Sequence, residues 1–249
     1  MSKGSKAAPT AVTSQRFYDA YSHGYVTYLE QHSGYFQAVE RVIFAAAADR
    51  RGIAVLDVGT GTGERLQRVV SVIRPDRVVA IDESPEMAAL AQRNCPTAEV
   101  HAVALGSPDL PAAIPGTFDL VICLSNVLGH VPRTQLVPGL NQIRNMLKPG
   151  GAFVFDVNNR YNAVRYGVFQ TMRNMVRDGL LPGGGDFVAA YRDGDTLLQT
   201  PVHLFSRAEV VRLVRSSGFE IVDLEFRDYA TGRERNRFGG SIVVEADVP

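Results

Sequence analysis

The sequence predicts an α/β protein in which a parallel sheet carries helices on both faces. Short apolar, β-branched segments alternate with segments of helical periodicity through the middle of the chain. Nearly continuous apolar strands separated by helices are typical of parallel sheets that are buried on both faces. A glycine-rich turn, Gly59 to Gly63, joins the first strand to its helix. Because open parallel sheets bind ligands at the carboxyl ends of their strands, we expect a ligand site at that edge.

The core elements follow one another in a regular order. Strands are predicted at Ile53–Val58, Arg77–Asp82, Ala98–Ala104, Thr117–Leu124 and Gly151–Val157. The helices between them are predicted at Glu64–Ile73, Ser84–Asn94 and Thr134–Leu147. Ser84 can cap its helix, and Pro85 suits the first helical position. The core is completed by a helix at Ser206–Ser217 and strands at Phe219–Phe226 and Ser241–Glu245.

Two additions to this core are expected within a single domain at residues 13–249. Residues 1–12 are small and polar, and we predict that they are disordered because they have nothing to bury. Residues 13–50 are predicted to form a helical cover with helices at Ser14–Glu30 and Gly34–Asp49. A single crossover helix does not need the long stretch between Asn159 and Ser206. We therefore predict a cap at residues 160–203, with a helix at Tyr161–Asp178 and strands at Phe187–Tyr191 and Thr196–His203.

Composition narrows the class of protein. The chain has 26 Lys+Arg and 26 Asp+Glu, so no overall field attracts nucleic acid or anionic membrane. The longest apolar run, Val42–Ala48, is far shorter than the roughly 20 residues of a membrane-spanning helix. Cys95 and Cys123 have neither the spacing of a zinc site nor that of a disulfide framework. We expect a cytoplasmic monomer or homodimer that binds a small molecule and no metal, nucleic acid or membrane.

The glycine turn and an acid after the second strand together predict an adenosine site. The segment VLDVGTGTGE, residues 55–64, runs from a strand through glycines into a helix. Asp82 ends the next strand about 20 residues on, where a carboxylate can accept hydrogen bonds from two ribose hydroxyls. A dinucleotide fingerprint would require glycine at position 64, which is Glu64. The spacing instead favours a ligand with an amino-acid tail, and the alternative is a plain strand-to-helix turn.

On these motifs, residues 53–158 resemble a class I S-adenosylmethionine-dependent methyltransferase of the small-molecule type. The resemblance is carried by VLDVGTGTG, by Asp82 in AIDESPEM, by FDLVICLSNVLGHV and by LKPGGAFVFDV. It extends more loosely through FSRAEVVRLVRSSGFEIVDLE. The resemblance implies a Rossmann-like, seven-stranded, mostly parallel sheet with an antiparallel last strand, and S-adenosyl-L-methionine as the cofactor.

The resemblance also implies which residues hold the cofactor. Asp57 would orient the glycine loop or the methionine ammonium, Met87 would lie against the adenine, and tyrosines of the first helix would approach the cofactor carboxylate. The acid that many relatives place after the third strand is missing from Ala104-Leu105-Gly106-Ser107. The full set expected at the cofactor is Asp57, Gly59, Thr60, Gly61, Asp82, Glu83, Met87, Leu105, Gly106, Leu124, Ser125, Tyr18 and Tyr25.

Polar residues near the carboxyl ends of the later strands are the candidates for the acceptor side. His130 is the first choice for a general base or an orienting group, and Tyr21 and Asn159 are the other catalytic candidates. The residues expected to bind the acceptor are Asn126, His130, Asn158, Tyr161 and His203. The alternative for each histidine is a purely structural role, and the alternative for the tyrosines is packing of their helix. A basic connection (Arg227, Arg233, Arg235, Arg237) is a solvated loop unless it folds toward the site, where it would favour a carboxylate or phosphate.

We therefore expect transfer of a methyl group from S-adenosylmethionine to a nitrogen or oxygen of a small molecule, in specialised metabolism. The protein would act mainly by holding the reactants in line. Two alternatives stay open: an S-adenosylmethionine-binding protein without catalysis, and an NAD(P)-dependent oxidoreductase, which Glu64 disfavours.

Overall fold

A computed structural model describes residues 10–22, 30–48, 50–180 and 184–249, which form one large sheet, a smaller cap sheet and flanking helices. The strands are β1 (Thr10–Ala11), β2 (Ala54–Val58), β3 (Arg77–Asp82), β4 (Glu99–Ala102), β5 (Phe118–Cys123), β6 (Leu147–Val157), β7 (Asp186–Asp193), β8 (Thr196–His203), β9 (Glu220–Arg227), β10 (Glu234–Arg235) and β11 (Ser241–Asp247). The large sheet has the order β10-β9-β11-β6-β5-β2-β3-β4. Strand β11 is antiparallel to both neighbours, while β2 to β6 pair in parallel.

This arrangement confirms the predicted mostly parallel sheet with an antiparallel last strand. The seven predicted strands are present, and the eighth, β10, is a two-residue addition at the edge. The described helices are α1 (Ser14–Tyr21), α2 (Ser33–Ala47), α3 (Glu64–Ile73), α4 (Pro85–Asn94), α5 (Leu110–Ala113), α6 (Val127–His130), α7 (Arg133–Met146), α8 (Ala163–Tyr166), α9 (Val168–Leu180) and α10 (Arg207–Ser216). No helix in the described ranges is long and apolar enough to cross a membrane.

Both faces of the large sheet are buried, as the apolar strands predict. Successive residues of a strand point to opposite faces. In β6, Phe153 and Phe155 belong to one buried cluster, whereas Ala152 and Val154 belong to the other. The second cluster packs on α2 through Tyr35, Phe36 and other buried residues of that helix. Helices on both faces leave the carboxyl ends of the strands as the open edge of the sheet.

The cap sheet corrects the prediction for the start of the chain. Strands β7 and β8 form an antiparallel hairpin, and Thr10–Ala11 adds to β8 in parallel. The Val12 N–H donates to the Gln199 carbonyl at 2.8 Å. Residues 10–12 are therefore ordered, because main-chain pairing at a strand edge does not depend on apolar side chains. Residues 1–9 lie outside the described part of the chain.

The predicted helix at Tyr161–Asp178 is two helices, α8 and α9. They are separated by Gly167, whose φ of +84° and ψ of 154° end the first helix. Helix α9 buries Thr171 and Asn174 and exposes its apolar side chains, a face that helical periodicity alone assigns to the core. The Asn174 side chain donates to the Arg160 carbonyl at 3.2 Å, which shows why the polar face points inward. Likewise, α1 ends at Tyr21, and the remainder of its predicted length falls mainly outside the described residues.

A buried ion pair fastens the first core strand to the helix after the glycine turn. Arg65 Nη2 of α3 lies 3.1 Å from both carboxylate oxygens of Asp57 in β2, and both side chains are almost fully buried. One turn further along α3, Arg68 pairs with Glu40, but its own side chain is half-exposed. The two arginines thus offer a matched comparison between a buried and a partly solvated pair.

We expect Arg65→Ala to lower the free energy of unfolding by about 3–5 kcal/mol, because it leaves the Asp57 carboxylate buried without its partner. Arg68→Ala should cost less, about 1–2 kcal/mol, because the half-exposed guanidinium leaves this pair partly solvated although the Glu40 side chain is only 9% exposed. Urea unfolding followed by circular dichroism measures both. Equal losses in the two variants would contradict the assignment of Asp57–Arg65 as the structural pair.

Candidate active site

A cavity of about 1120 Å³ opens at the carboxyl ends of the parallel strands. Its floor includes Val58 at the end of β2, Asp82 at the end of β3, and Asn126 and Asn158 just after β5 and β6. Its roof is made by α1 and by the cap strands β7 and β8. Sites for a single drug-sized ligand usually measure about 300–1,000 Å³, so this cavity has room for two molecules.

The glycine turn is shaped by close approach as well as by backbone conformation. Gly59, Gly61 and Gly63 have φ values of +69°, +62° and +85°. A Cβ on Gly59 would lie 2.3 Å from Val127 Cγ2, and one on Gly63 would lie 2.6 Å from Ala91 Cα. The turn therefore needs glycine for two reasons, and it exposes the main chain of Gly59 and Gly61 to the cavity.

Asp82 ties this turn to the start of α4. Its Oδ2 accepts from the Gly61 N–H at 2.8 Å, and its Oδ1 accepts from the Ser84 N–H at 3.0 Å. Burial raises the pKa of Asp82 to about 6, against the lowering effect of these two bonds. Each carboxylate oxygen has a further lone pair, and the side chain borders the cavity. Asp82 can therefore accept hydrogen bonds from a vicinal diol while holding the turn, which fits a ribose.

Helix α1 closes the cavity beside Asp82. The Ser84 hydroxyl donates to the Asp19 carboxylate, and the Ser14 side chain hydrogen-bonds Glu83. From the same helix, the Tyr21 ring lies 4.9 Å from the Tyr191 ring of the cap hairpin, centroid to centroid. The helix thus bridges the floor and the roof of the site. Tyr18 and Tyr21 line the cavity, whereas Tyr25 lies outside the described residues.

His130 meets Tyr18 across the cavity wall. Its Nε2 lies 2.9 Å from the Tyr18 hydroxyl oxygen, and the two rings meet edge to face. Burial lowers the pKa of His130 to about 4, so the imidazole is neutral near pH 7. Its Nδ1 is buried and has no hydrogen-bond partner. A bound molecule can therefore exchange a proton with this imidazole at Nε2, by way of the Tyr18 hydroxyl that lines the cavity.

The loop that presents Asn126 is held in an unusual conformation by a buried acid. Ser125 and Asn126 both have left-handed backbone, with φ of 66° and 60°. Asp156, in β6, accepts from the Asn126 N–H at 2.9 Å and from the Tyr35 hydroxyl. The Asn126 Oδ1 in turn accepts from the Asn158 N–H at 2.8 Å. No local sequence pattern points to the contact between Tyr35 and Asp156, because the two residues are far apart along the chain.

Of the predicted site residues within the described part of the chain, twelve line the cavity: Tyr18, Tyr21, Gly59, Gly61, Asp82, Glu83, Met87, Leu105, Ser125, Asn126, His130 and Asn158. Seven do not: Asp57, Thr60, Gly106, Leu124, Asn159, Tyr161 and His203. Among the residues described, no three His, Cys, Asp or Glu side chains converge to hold a metal ion.

Four predicted cofactor residues do not line the cavity, and their roles at the cofactor stay predictions. Asp57 is turned to Arg65 and not to the cavity. Thr60 and Leu124 are almost fully buried, and Leu124 packs with the α2 side of the core. The Gly106 N–H donates to Gln142 Oε1 at 2.9 Å, so it serves the loop after β4.

The predicted acceptor-side residues that do not line the cavity contact other parts of the protein. Asn159 donates to the Arg237 carbonyl at 3.1 Å and accepts from the Tyr161 N–H at 2.9 Å. The Tyr161 hydroxyl donates to Asp178 at 2.6 Å. His203 lies between Asp186 and Glu209, with one ring nitrogen 2.8 Å from each carboxylate. The structural alternative therefore describes His203, which joins the cap hairpin to α10.

The basic connection does not reach the cavity either. Arg227 pairs with Glu225, Arg235 pairs with Asp228 at 3.0 Å, and the Arg237 guanidinium lies over the Phe238 ring. None of the four arginines lines the cavity, but Arg165 of α8 does. No sequence motif points to Arg165, because a lone arginine in an insertion has the same sequence signal as a solvated surface residue.

We expect the imidazole of His130 to titrate with a midpoint near pH 4, because its charged form would be buried without a counter-charge. Long-range ¹H–¹⁵N NMR of the histidine rings measures this midpoint, and loss of the signal in His130→Asn assigns it. A midpoint close to the model-compound value of about 6.5 would show that the ring is solvated.

Comparisons with known proteins agree on the class of domain. Residues 55–151 match the family described as methyltransferase domain. The chain is 34% identical over 124 residues to the ubiquinone biosynthesis O-methyltransferase of Chromobacterium violaceum, covering 46% of this chain and 48% of that protein. It is 29% identical over 198 residues to the enzyme of the same name from Xanthomonas euvesicatoria, covering 78% and 73%. The chain thus spans about half the length of the first of these relatives.

Solved structures share the fold at low identity. An S-adenosylmethionine-dependent methyltransferase from Clostridium acetobutylicum superposes with a TM-score of 0.63 and 16% identity, covering 93% of this chain and 99% of that one. The magnesium protoporphyrin IX methyltransferase of Synechocystis with bound SAM gives a TM-score of 0.60 and 16% identity, covering 97% and 100%. With its strand order and the domain match at residues 55–151, the chain has the fold of these solved methyltransferases.

Proposed function

We propose that this protein transfers a methyl group from S-adenosylmethionine to a nitrogen or oxygen of a small-molecule acceptor. The observation that carries the proposal is the cavity, in which the glycine turn and Asp82 border a space large enough for a cofactor and an acceptor. The names of the relatives support it, because two of them are O-methyltransferases of ubiquinone biosynthesis. The choice between nitrogen and oxygen is left to the assay below.

The residues at the β3 end of the cavity fit the cofactor. Asp82 would accept the ribose hydroxyls, and the exposed main chain of Gly59 and Gly61 would face the amino-acid part. Met87 is buried, borders the cavity and can pack against the adenine. When bound, S-adenosylmethionine supplies an electrophilic methyl group on a sulfonium. The chain's own task is then to hold the acceptor in line and keep water away, and positioning of this kind can be worth several kcal/mol.

An acceptor that carries an O–H or N–H must lose a proton, and His130 can take it. Its low pKa keeps the ring neutral near pH 7 but also makes it a weak base, so it would take the proton as the sulfonium loses its charge. Because Nδ1 is buried and Nε2 contacts the Tyr18 hydroxyl, the proton would reach Nε2 by way of that hydroxyl or of a water in its place. We assign His130 as the general base and Tyr18 as its positioning residue.

We expect Asp82→Ala to weaken binding of S-adenosylhomocysteine by about 1–3 kcal/mol, through loss of charge-assisted hydrogen bonds. Wild-type affinity should also fall as the pH drops through about 6, because the carboxylate then takes up a proton, and the variant should lack this dependence. Isothermal titration calorimetry from pH 5 to 8 measures both effects.

The matched control is Glu86→Ala, which removes an exposed acid from the first turn of α4 without touching the cavity. It should bind S-adenosylhomocysteine like the wild type. If the two variants bind equally well, Asp82 is not the ribose ligand. If the wild type binds no S-adenosylhomocysteine at all, the proposed function itself is wrong.

We expect His130→Ala to reduce kcat by about 10²–10⁴-fold, the usual contribution of a positioned general base, while the affinity for S-adenosylhomocysteine stays the same. Residual activity of the variant should rise with pH as the acceptor ionises by itself. Tyr18→Phe should give a smaller loss of kcat, because the base stays but is less well oriented. The assay follows transfer of a labelled methyl group to a panel of phenols, amines and heterocycles.

The panel also separates the enzyme from the alternative of a non-catalytic binding protein. Tight binding of S-adenosylhomocysteine with no labelled product from any acceptor would favour that alternative. If kcat does not depend on pH and is the same in His130→Ala as in the wild type, His130 is not the general base. That result would not contradict the proposed methyltransferase function.

A further inference from the structure

We propose that Arg165 forms a subsite for the carboxylate of the acceptor, whose body is flat and apolar. The inference rests on the proposed function, because it concerns the acceptor half of the same cavity. It starts from charge: Arg165 is the single Lys or Arg among the described residues that line the cavity.

The guanidinium of Arg165 is held by aromatic rings and not by an acid. Its Cζ lies 5.2 Å from the centroid of the Tyr229 ring and 5.7 Å from that of Tyr166. No described Asp or Glu lies within 4.0 Å of it, in contrast to Arg160, Arg227 and Arg235, which all pair with carboxylates. Stacking fixes the plane of a guanidinium and leaves its N–H groups directed at other partners. Arg165 is therefore an exposed cation whose plane is set by two rings, and no described acid pairs with its guanidinium.

The position of Arg165 along the sheet separates it from the cofactor end. Asp82 ends β3, His130 follows β5, and Arg165 follows β6. In the order β6-β5-β2-β3 the two outer strands are three spacings apart, or about 14 Å. The candidate base and the cation thus belong to segments that leave the sheet from adjacent strands, β5 and β6, and the cofactor acid belongs to β3. An acceptor that reaches from Arg165 toward His130 would present its far end to the cofactor half.

The side chains that line the cavity on its cap side determine which kind of acceptor fits beside Arg165. On the cap side the lining is apolar or aromatic and includes Phe187, Val188, Pro201, Val202 and Leu204. Such walls favour an apolar, flat molecule over a sugar or a polyamine.

A single arginine suits a carboxylate better than a phosphate dianion. Its planar fork matches the two oxygens of a carboxylate in a bidentate pair. His32 is a further ionisable group beside this subsite, and its ring centroid lies 4.7 Å from that of Tyr229. Burial, and then the charge of Arg165, lower the pKa of His32, so it adds no positive charge near pH 7.

The test uses four aromatic acids, benzoate, 3,4-dihydroxybenzoate, 4-hydroxycinnamate and indole-3-acetate, each paired with its methyl ester. Binding is measured by calorimetry on protein saturated with S-adenosylhomocysteine. We expect at least one acid to bind about tenfold or more tightly than its ester. Arg165→Ala should abolish that difference, and Arg165→Lys should restore part of it, because lysine keeps the charge but loses the planar fork.

The control variant is Arg192→Ala, which removes an exposed arginine of β7 that does not line the cavity. It should keep the preference for the acid. The proposal is overturned if no acid binds better than its ester, if Arg165→Ala keeps the preference, or if phenyl phosphate binds better than all four acids.

Affinity for S-adenosylhomocysteine separates this inference from the proposed function. Arg165→Ala should bind it like the wild type, and a loss of tenfold or more would assign the arginine to the cofactor carboxylate instead. If the wild type binds S-adenosylhomocysteine but shows no preference among the pairs, only the acceptor subsite is lost.

Discussion

The site depends on one carboxylate that joins two pieces of main chain. Asp82 accepts the N–H of Gly61 from the turn after β2 and the N–H of Ser84 from the start of α4. Both N–H groups belong to segments that leave the sheet, where no strand partner can satisfy them. The same side chain borders the cavity, so the group that would read a ribose is also the group that fixes the turn. The pKa of Asp82 is raised because this carboxylate is buried.

Asp156 is a second buried acid that holds main chain beside the cavity. Asp156 holds the main chain at Asn126, where two successive residues that are not glycine adopt left-handed backbone. Such a conformation costs energy and persists where surrounding contacts impose it. Here the contacts come from Asp156, the Tyr35 hydroxyl and the Asn126–Asn158 bond. These contacts account for the left-handed backbone just before α6, the short helix that ends at His130.

The sequence predicts what local pattern and motif spacing determine, and it fails where partners are distant. Apolar strands, the Ser84 cap and the glycine turn with Asp82 all follow from neighbours in the chain. The course of the cap does not: β1 pairs through its main chain, and α9 turns a polar face inward because Asn174 finds the Arg160 carbonyl. His203 is a polar residue at a strand end, like Asn126, yet Asp186 and Glu209 bind it. Only the fold decides which of two such residues is left for a ligand.

The charged and ionisable side chains that border the cavity are consistent with one reaction scheme. An acid, a neutral imidazole and an arginine border the cavity, on segments that leave strands β3, β5 and β6. A sulfonium beside an imidazolium would meet a like charge in a buried place, whereas burial of His130 keeps that ring neutral until a proton arrives. In the proposed reaction, methyl transfer would discharge the sulfonium and proton uptake would charge the imidazole, so the number of positive charges in the cavity would be conserved. The cation at Arg165 lies outside this exchange, and a carboxylate on the acceptor would neutralise it before the chemistry begins.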